Sequence, residues 1–239
     1  MLKKIFTTAF FMAFPLFLMA YDLPKIIDYG KFRLSAVHEN KDATLGWNIG
    51  AAAFNSAPEL TSLFAFLKKE YGIDTVVETG TCKGNTTILF SFLFDDVHTI
   101  EVNPEYYRHS SNVLKSFPNV RCYLGSSEKV LKSLLPQLQH KPVLFYLDAH
   151  WNEYWPLLDE IEQIGKTHRD NCIIVIDDAK VPGRNDIKYE AHGDRECSLE
   201  YIESKLKEVS SSYTVHWIIP RTKHSRAKLM IIPHHLKGN

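Results

Sequence analysis

The feature that most constrains this chain is an alternation of short apolar runs with helix-length stretches. Five runs rich in β-branched and aromatic residues appear: Thr75–Glu78, Val97–Glu101, Val120–Leu124, Val143–Asp148 and Cys172–Asp177. Around them the apolar spacing predicts helices over Glu59–Tyr71, Asn85–Phe94, Pro104–Phe117, Ser127–Gln139, Pro156–Thr167 and Ser198–Ser210. Strands joined through helices run in the same direction, so the pattern implies a parallel sheet. The runs VLFYLD and IIVID are almost wholly apolar, as strands covered on both faces must be. Two further runs, Thr214–Pro220 and Lys228–Pro233, are joined only by the short polar segment RTKHSR. They should pair as a hairpin. The expected fold is a doubly wound α/β domain, a mostly parallel seven-stranded sheet ending in a C-terminal antiparallel hairpin.

Size and charge narrow the function. A chain of 239 residues fits one core, since cores grow to about 250–300 residues before splitting. Lys and Arg total 28 against 28 Asp and Glu, which gives no basic excess for nucleic-acid binding. Residues 58–239 are read as the single domain and residues 21–57 as a lead-in with little periodicity. Residues 1–20 differ: Lys3 and Lys4 precede an apolar run from Ile5 to Leu18, followed by Met19 and Ala20. That is the pattern of an export signal, or of an anchor if it is retained, and it is short for a membrane helix of about 20 residues. Membrane contact is expected only through this segment. The four cysteines, Cys82, Cys122, Cys172 and Cys197, show neither CxxC pairs nor zinc spacing, and no bridge follows from them.

In sheets of this kind the ligand lies beyond the carboxyl ends of the strands. The first such end reads Glu78-Thr79-Gly80-Thr81-Cys82-Lys83-Gly84-Asn85-Thr86-Thr87. Gly80 and Gly84 allow a tight turn and close backbone approach, while Asn85, Thr86 and Thr87 open the next helix. The segment matches neither the GxGxxG fingerprint nor a P-loop, which disfavours a nucleotide-phosphate site and an NAD-dependent dehydrogenase. A carboxylate at Glu78 would repel a phosphate and hold a cationic group. The second strand ends in Glu101, which can accept both hydroxyls of a ribose; Asn103 and Pro104 then cap a helix. Gly125, Ser126 and Ser127 follow the third strand.

Glu78-x-Gly80-x-x-x-Gly84 resembles the first motif of the class I S-adenosylmethionine (SAM) methyltransferases, with Cys82 where that family often has a third glycine. The resemblance implies a Rossmann-like fold that binds SAM through Glu78, Gly80, Thr81, Gly84, Asn85, Thr86 and Thr87. Glu101 would hold the ribose, and Ser126, Ser127, Asp148, His150 and Trp151 would lie toward the adenine and the acceptor. Family members often carry Asp where this chain has Ser126.

The fourth strand ends Asp148-Ala149-His150-Trp151 and the fifth ends Asp177-Asp178. Three carboxylates from neighbouring strands would suit a hard cation such as Mg²⁺. This pattern resembles the metal-assisted small-molecule O-methyltransferases of the catechol and caffeoyl-coenzyme A type. The resemblance implies that Asp148, Asp177 and Asp178 hold Mg²⁺ or another divalent cation, with Asp178 in place of a more usual Asn. Those enzymes place a Lys base shortly after the fourth-strand Asp, and this chain has His150, Trp151 and Asn152. Asp148 and His150 are therefore the catalytic candidates. Either His150 takes the acceptor proton or the metal alone acidifies the hydroxyl. The long polar loop Lys180–Glu196 brings Arg184, Lys188, His192 and Arg195, which could meet an anionic acceptor.

The expected activity is SAM-dependent methyl transfer to an oxygen of a small-molecule acceptor. Two alternatives stand beside it. One is an exported metal-dependent hydrolase on a similar sheet; the other is a non-catalytic binding or effector module. The N-terminal segment points to export or an inner-membrane anchor, whereas SAM use points to the cytoplasm.

Overall fold

The computed structural model describes residues 26–28, 53–55, 60–150, 154–219 and 226–236. Residues 1–20 and Trp151, for which an export segment and a pocket wall were expected, lie outside the described residues. Among these residues no helix is long and apolar enough to cross a membrane.

The strands are β1 (Ile26–Asp28), β2 (Thr75–Thr79), β3 (Asp96–Glu101), β4 (Val120–Leu124), β5 (Val143–Leu147) and β6 (Cys172–Ile176), then β7 (Ala191–His192), β8 (Arg195–Glu196), β9 (Tyr213–Ile219) and β10 (Lys228–Pro233). The helices are α1 (Leu60–Tyr71), α2 (Asn85–Leu93), α3 (Pro104–Leu114), α4 (Ser127–Leu134), α5 (Leu157–Thr167) and α6 (Leu199–Val209). One sheet runs β1-β9-β10-β6-β5-β2-β3-β4, and β7 and β8 form a separate hairpin. Pairing is parallel from β4 through β6, and β10 is antiparallel to both β6 and β9. The seven expected strands are all present, with the expected antiparallel hairpin between β9 and β10. The lead-in adds an eighth, because β1 pairs in parallel with β9 at the sheet edge.

Side-chain alternation splits each central strand between two cores. Val77, Phe145, Ile174 and Ile231 face a core closed by α4, α5 and α6. Val76, Leu144, Tyr146, Val175 and Met230 face the opposite core under α1 and α2. Helix α1 buries Leu60, Leu63, Phe64 and Leu67, the i, i+3, i+4, i+7 stripe of an amphipathic helix. The second core is aromatic: the rings of Phe54, Phe64 and Phe90 all lie within 6 Å of Tyr146, at 5.6, 5.9 and 5.6 Å.

Two helices end three or more residues earlier than their apolar spacing implies. Helix α3 stops at Leu114 rather than Phe117, because Pro118 disfavours helical geometry in the residue before it. Helix α4 gives way after Leu134 to a 3₁₀ turn at Leu135–Gln137, where Pro136 removes a backbone donor.

Candidate functional site

The carboxyl ends of the parallel strands surround a cavity of about 750 Å³. Its floor is Gly80, Glu101, Asp148 and Asp178, from the tips of β2, β3, β5 and β6. Ser126 and Ser127 close one end, with Val102, Tyr106 and Tyr154 beside them, and His150, Glu190 and Arg226 form the other.

The β2–α2 turn is held by backbone bonds and by three positive φ angles, at Gly80, Cys82 and Gly84. The Gly80 N–H donates to the carbonyl of Ile100 at 2.9 Å, and Gly84 N–H to that of Thr81 at 2.8 Å. Gly80 has φ +85°, and a Cβ there would stand 2.4 Å from the Asp148 carbonyl oxygen. Only glycine lets these two strand tips come this close.

The acidic tips behave differently. Glu78 turns beneath the loop instead of lining the cavity. Its Oε2 accepts from Thr87 Oγ1 at 2.5 Å and from Thr99 Oγ1 at 2.7 Å. Burial pushes its pKa up to about 7, against the partial compensation of those two hydroxyls. Thr81 Oγ1 pairs with Thr99 Oγ1 at 2.6 Å, and Thr86 Oγ1 accepts the Phe54 N–H at 3.0 Å. Thr81, Thr86 and Thr87 thus use their hydroxyls to build the loop. Of the glycine-loop candidates, Gly80 lines the cavity, while Glu78, Thr81, Gly84, Asn85, Thr86 and Thr87 do not.

Glu101 does line the cavity. Its Oε2 accepts the Cys82 N–H at 2.7 Å and its Oε1 the Asn103 N–H at 2.8 Å. Those bonds fix the carboxylate in one orientation and leave lone pairs for a ligand diol. Asn103 caps α3 as its sequence position implies, accepting from Glu105 and Tyr106 N–H at 2.8 and 3.2 Å. Ser126 stands at the start of α4 and donates to Glu128.

The three carboxylates expected to hold a metal do gather, but they do not fit one. Lys228 Nζ donates to Asp177 Oδ1, with both side chains fully buried. Tyr146 Oη donates to Asp177 Oδ2 at 2.5 Å, and the Asp178 N–H to Oδ1 at 2.6 Å. An ammonium therefore provides the positive charge that a cation would supply, and Asp177 points into the core. Of the expected ligands, Asp148 and Asp178 reach the cavity lining and Asp177 is engaged by Lys228 and Tyr146. Asp178, with φ +56°, turns the chain outward so that its own side chain meets the cavity. There its Oδ2 accepts from Arg226 at 2.6 Å. Burial and the neighbouring Asp177 push the Asp178 carboxyl up to about 7. Burial, Asp177 and Asp178 hold Asp148 well above the usual carboxylate range.

Arg226 Nη1 also binds Glu190 Oε2 at 2.7 Å, joining the β6 tip to the loop that follows it. Glu190 Oε1 lies 3.0 Å from His192 Nε2, and the His192 ring lies 6.1 Å from that of His150. Of the loop residues expected to meet an anion, His192 is instead paired with Glu190. Arg184 is held by Asp186 at 2.7 Å, and Arg195 Nε donates to the His192 carbonyl at 3.4 Å. Lys228, Arg226, Glu190, Tyr106 and Tyr154 were not read from the sequence.

No protein-family model matches the sequence, and no curated protein matches it. Solved structures do match in fold. The O-methyltransferase from Bacillus cereus, in complex with SAH, aligns with TM-score 0.58 at 17% identity, covering 82% of this chain and 93% of that one. The O-methyltransferase TomG of Streptomyces achromogenes, involved in tomaymycin synthesis and solved with SAM, aligns with TM-score 0.56 at 16% identity. That match covers 74% of this chain and 80% of TomG. The strand order and these alignments agree: this chain has the Rossmann-like fold of the SAM-dependent O-methyltransferases.

Proposed function

We propose that the cavity binds SAM and that the protein transfers its methyl group to an oxygen of a small-molecule acceptor. The observation that carries this reading is the convergence of Gly80, Glu101 and Asp148 on one cavity, with Glu101 fixed by two backbone donors. Glu101 receives the ribose hydroxyls. Ser126 and Ser127, with Val102, Tyr106 and Tyr154, enclose the adenine. The Gly80 turn admits the methionine moiety past Asp148. The fold neighbours support the same cofactor, since TomG was solved with SAM and the B. cereus enzyme with SAH.

In the transfer an acceptor oxygen forms a bond to the methyl carbon as the sulfonium C–S bond breaks, and sulfur keeps the electron pair. The chain aligns the two reactants, excludes water and takes the acceptor proton. His150, at the cavity wall, is the proposed base when no cation occupies its ring nitrogen, and Asp148 faces the transferred methyl from the cavity floor. No step passes through a metal at Asp148, Asp177 and Asp178, because Lys228 neutralises that cluster.

Calorimetric titration with SAM tests the proposal. Wild type should bind saturably, and Glu101→Ala should weaken binding at least tenfold, as expected for losing hydrogen bonds to a charged group. Equal affinity in the two proteins would end the reading. Residues 1–20 are proposed as an export signal or anchor, and N-terminal sequencing of the mature protein tests that separately.

A further inference from the structure

We propose that His150, Glu190 and His192 form a binding site for a divalent transition-metal cation of the zinc class, at the wall of the cavity. The site goes beyond the methyl-transfer reading, since binding of the cation does not require SAM.

Geometry carries the inference. One ligand atom from each residue lies within 4.8 Å of the other two. Around a cation with bonds of about 2.0–2.1 Å, neighbouring ligand atoms stand roughly 3.0–3.4 Å apart. Glu190 Oε1 and His192 Nε2 are already at 3.0 Å. His150 is exposed, so a change of side-chain rotamer brings its ring nitrogen in.

Two of the three ligands are fixed before any cation arrives. The Glu190 N–H donates to the Asp178 carbonyl at 2.8 Å, and its own carbonyl accepts the Cys197 N–H at 2.9 Å. Arg226 holds Oε2 of Glu190, which orients Oε1 toward His192. His192 is set by the β7–β8 hairpin, where it faces Arg195. Its ring packs 5.3 Å from Trp155, which stacks on Tyr201 at 5.1 Å. An oriented carboxylate and a packed imidazole are the outer support that metal ligands need.

The ligand chemistry selects the cation. Two imidazoles and one carboxylate suit zinc, cobalt or ferrous ions and disfavour Mg²⁺, which prefers an all-oxygen shell. Three protein ligands leave at least one coordination position open, the mark of a reactive site over a structural one. His150 and Glu190 both line the cavity, so the open position faces the space for the acceptor. The cluster at Asp177 is closed to a cation by Lys228; His150, Glu190 and His192 provide one with a seat on the same rim.

The test uses tag-free, full-length protein stripped with chelator and then freed of it, without SAM. Zn²⁺ titration should give one saturable site, and Mg²⁺ should give none at the same concentrations. Co²⁺ should produce a visible spectrum without a thiolate charge-transfer band, which excludes the exposed Cys82 as a ligand. His150→Ala and His192→Ala should each weaken Zn²⁺ by more than about 100-fold, beyond the ~10–100-fold of outer-shell changes. His150 is exposed, so its variant should keep the wild-type melting temperature in the absence of metal. Absence of saturable Zn²⁺ binding, undiminished binding in His150→Ala, or a thiolate band would overturn the site. SAM titration of the same metal-free proteins keeps the cofactor question separate.

Discussion

The Lys228 ammonium lies against Asp177 Oδ1 in the interior of the sheet, and neither side chain reaches solvent. The register explains the meeting: Leu229 of β10 is opposite Ile176 of β6, so the preceding lysine falls beside the following aspartate. Tyr146, also fully buried, gives its hydroxyl to the same carboxylate. Burial alone would raise the Asp177 pKa, but Lys228 and Tyr146 bring it below the usual carboxylate value. A depressed folded pKa stabilises the fold above the unfolded value and is lost as pH falls through the folded one. Lys228→Met should cost about 3–5 kcal/mol at pH 7, because it strands a buried charge. The pair Lys228→Met/Asp177→Asn should recover much of that loss. Urea unfolding of the three proteins checks this; a single variant as stable as wild type would contradict the pairing.

Gly80 and Gly84 both have positive φ, and they should respond differently to alanine. At Gly80 a Cβ would press on backbone, 2.4 Å from the Asp148 oxygen; at Gly84 it would meet Leu114 Cδ1 at 3.4 Å. Gly84→Ala should therefore cost only the strain of the left-handed conformation, about 1–2 kcal/mol. Gly80→Ala adds a collision that pushes the β2 and β5 tips apart. Its SAM affinity should fall much further than that of Gly84→Ala, and calorimetry alongside thermal melting separates the two effects.

Glu160 in α5 is wholly buried, facing the hydroxyls of Ser127 and Thr79. Burial raises its carboxyl to about 7, only partly offset by those hydroxyls. The folded state thus keeps a proton that the unfolded chain loses near pH 4.3. Stability from this group is full at low pH and declines as pH rises from there to about 7. Glu160→Gln should flatten part of that decline and stabilise the protein at pH 8 by on the order of a few kcal/mol. Glu78 and Asp178, also raised to about 7, and Asp148, raised well above its usual range, keep the remainder of the slope. Denaturant midpoints at pH 5, 6, 7 and 8 provide the readout, and parallel profiles for the two proteins would refute the assignment.

The sheet was legible because its central strands are buried on both faces, and burial writes itself as an unbroken apolar run. Lys228–Pro233 matches its expected bounds residue for residue, and so does the half-exposed edge strand Val120–Leu124, whose apolar residues still mark it. Strand β1 was not legible: three residues at an edge carry too little pattern. Glu101 and Asp148 could be placed on the rim because each terminates an apolar run. Lys228 could not, since a lysine opening a strand looks like a solvent-facing residue until register sets it beside Asp177. The two turns of direction at Asp177 and Asp178 were likewise hidden. Adjacent carboxylates in a sequence look alike, yet one here faces the core and the other the cavity. Glu190 and His192 fell within a loop whose two-residue strands are too short to show alternation.

If the cavity binds SAM as proposed, its acidic floor should make that binding more dependent on pH than the binding of SAH. Asp178 holds a carboxyl raised to about 7, chiefly by burial, and Asp148 is raised well above its usual range. The uncomplexed site therefore carries bound protons at neutral pH. A sulfonium brought beside these groups favours their charged forms and lowers their pKa values. Binding of SAM should then release protons, and its affinity should rise between pH 6 and pH 8. SAH has an uncharged thioether at the same position, so its affinity should change less across that interval. Titrations in buffers of different ionisation enthalpy measure the protons directly. A SAM proton release no larger than that of SAH would place the sulfonium away from Asp148 and Asp178, and with it the methyl group away from His150.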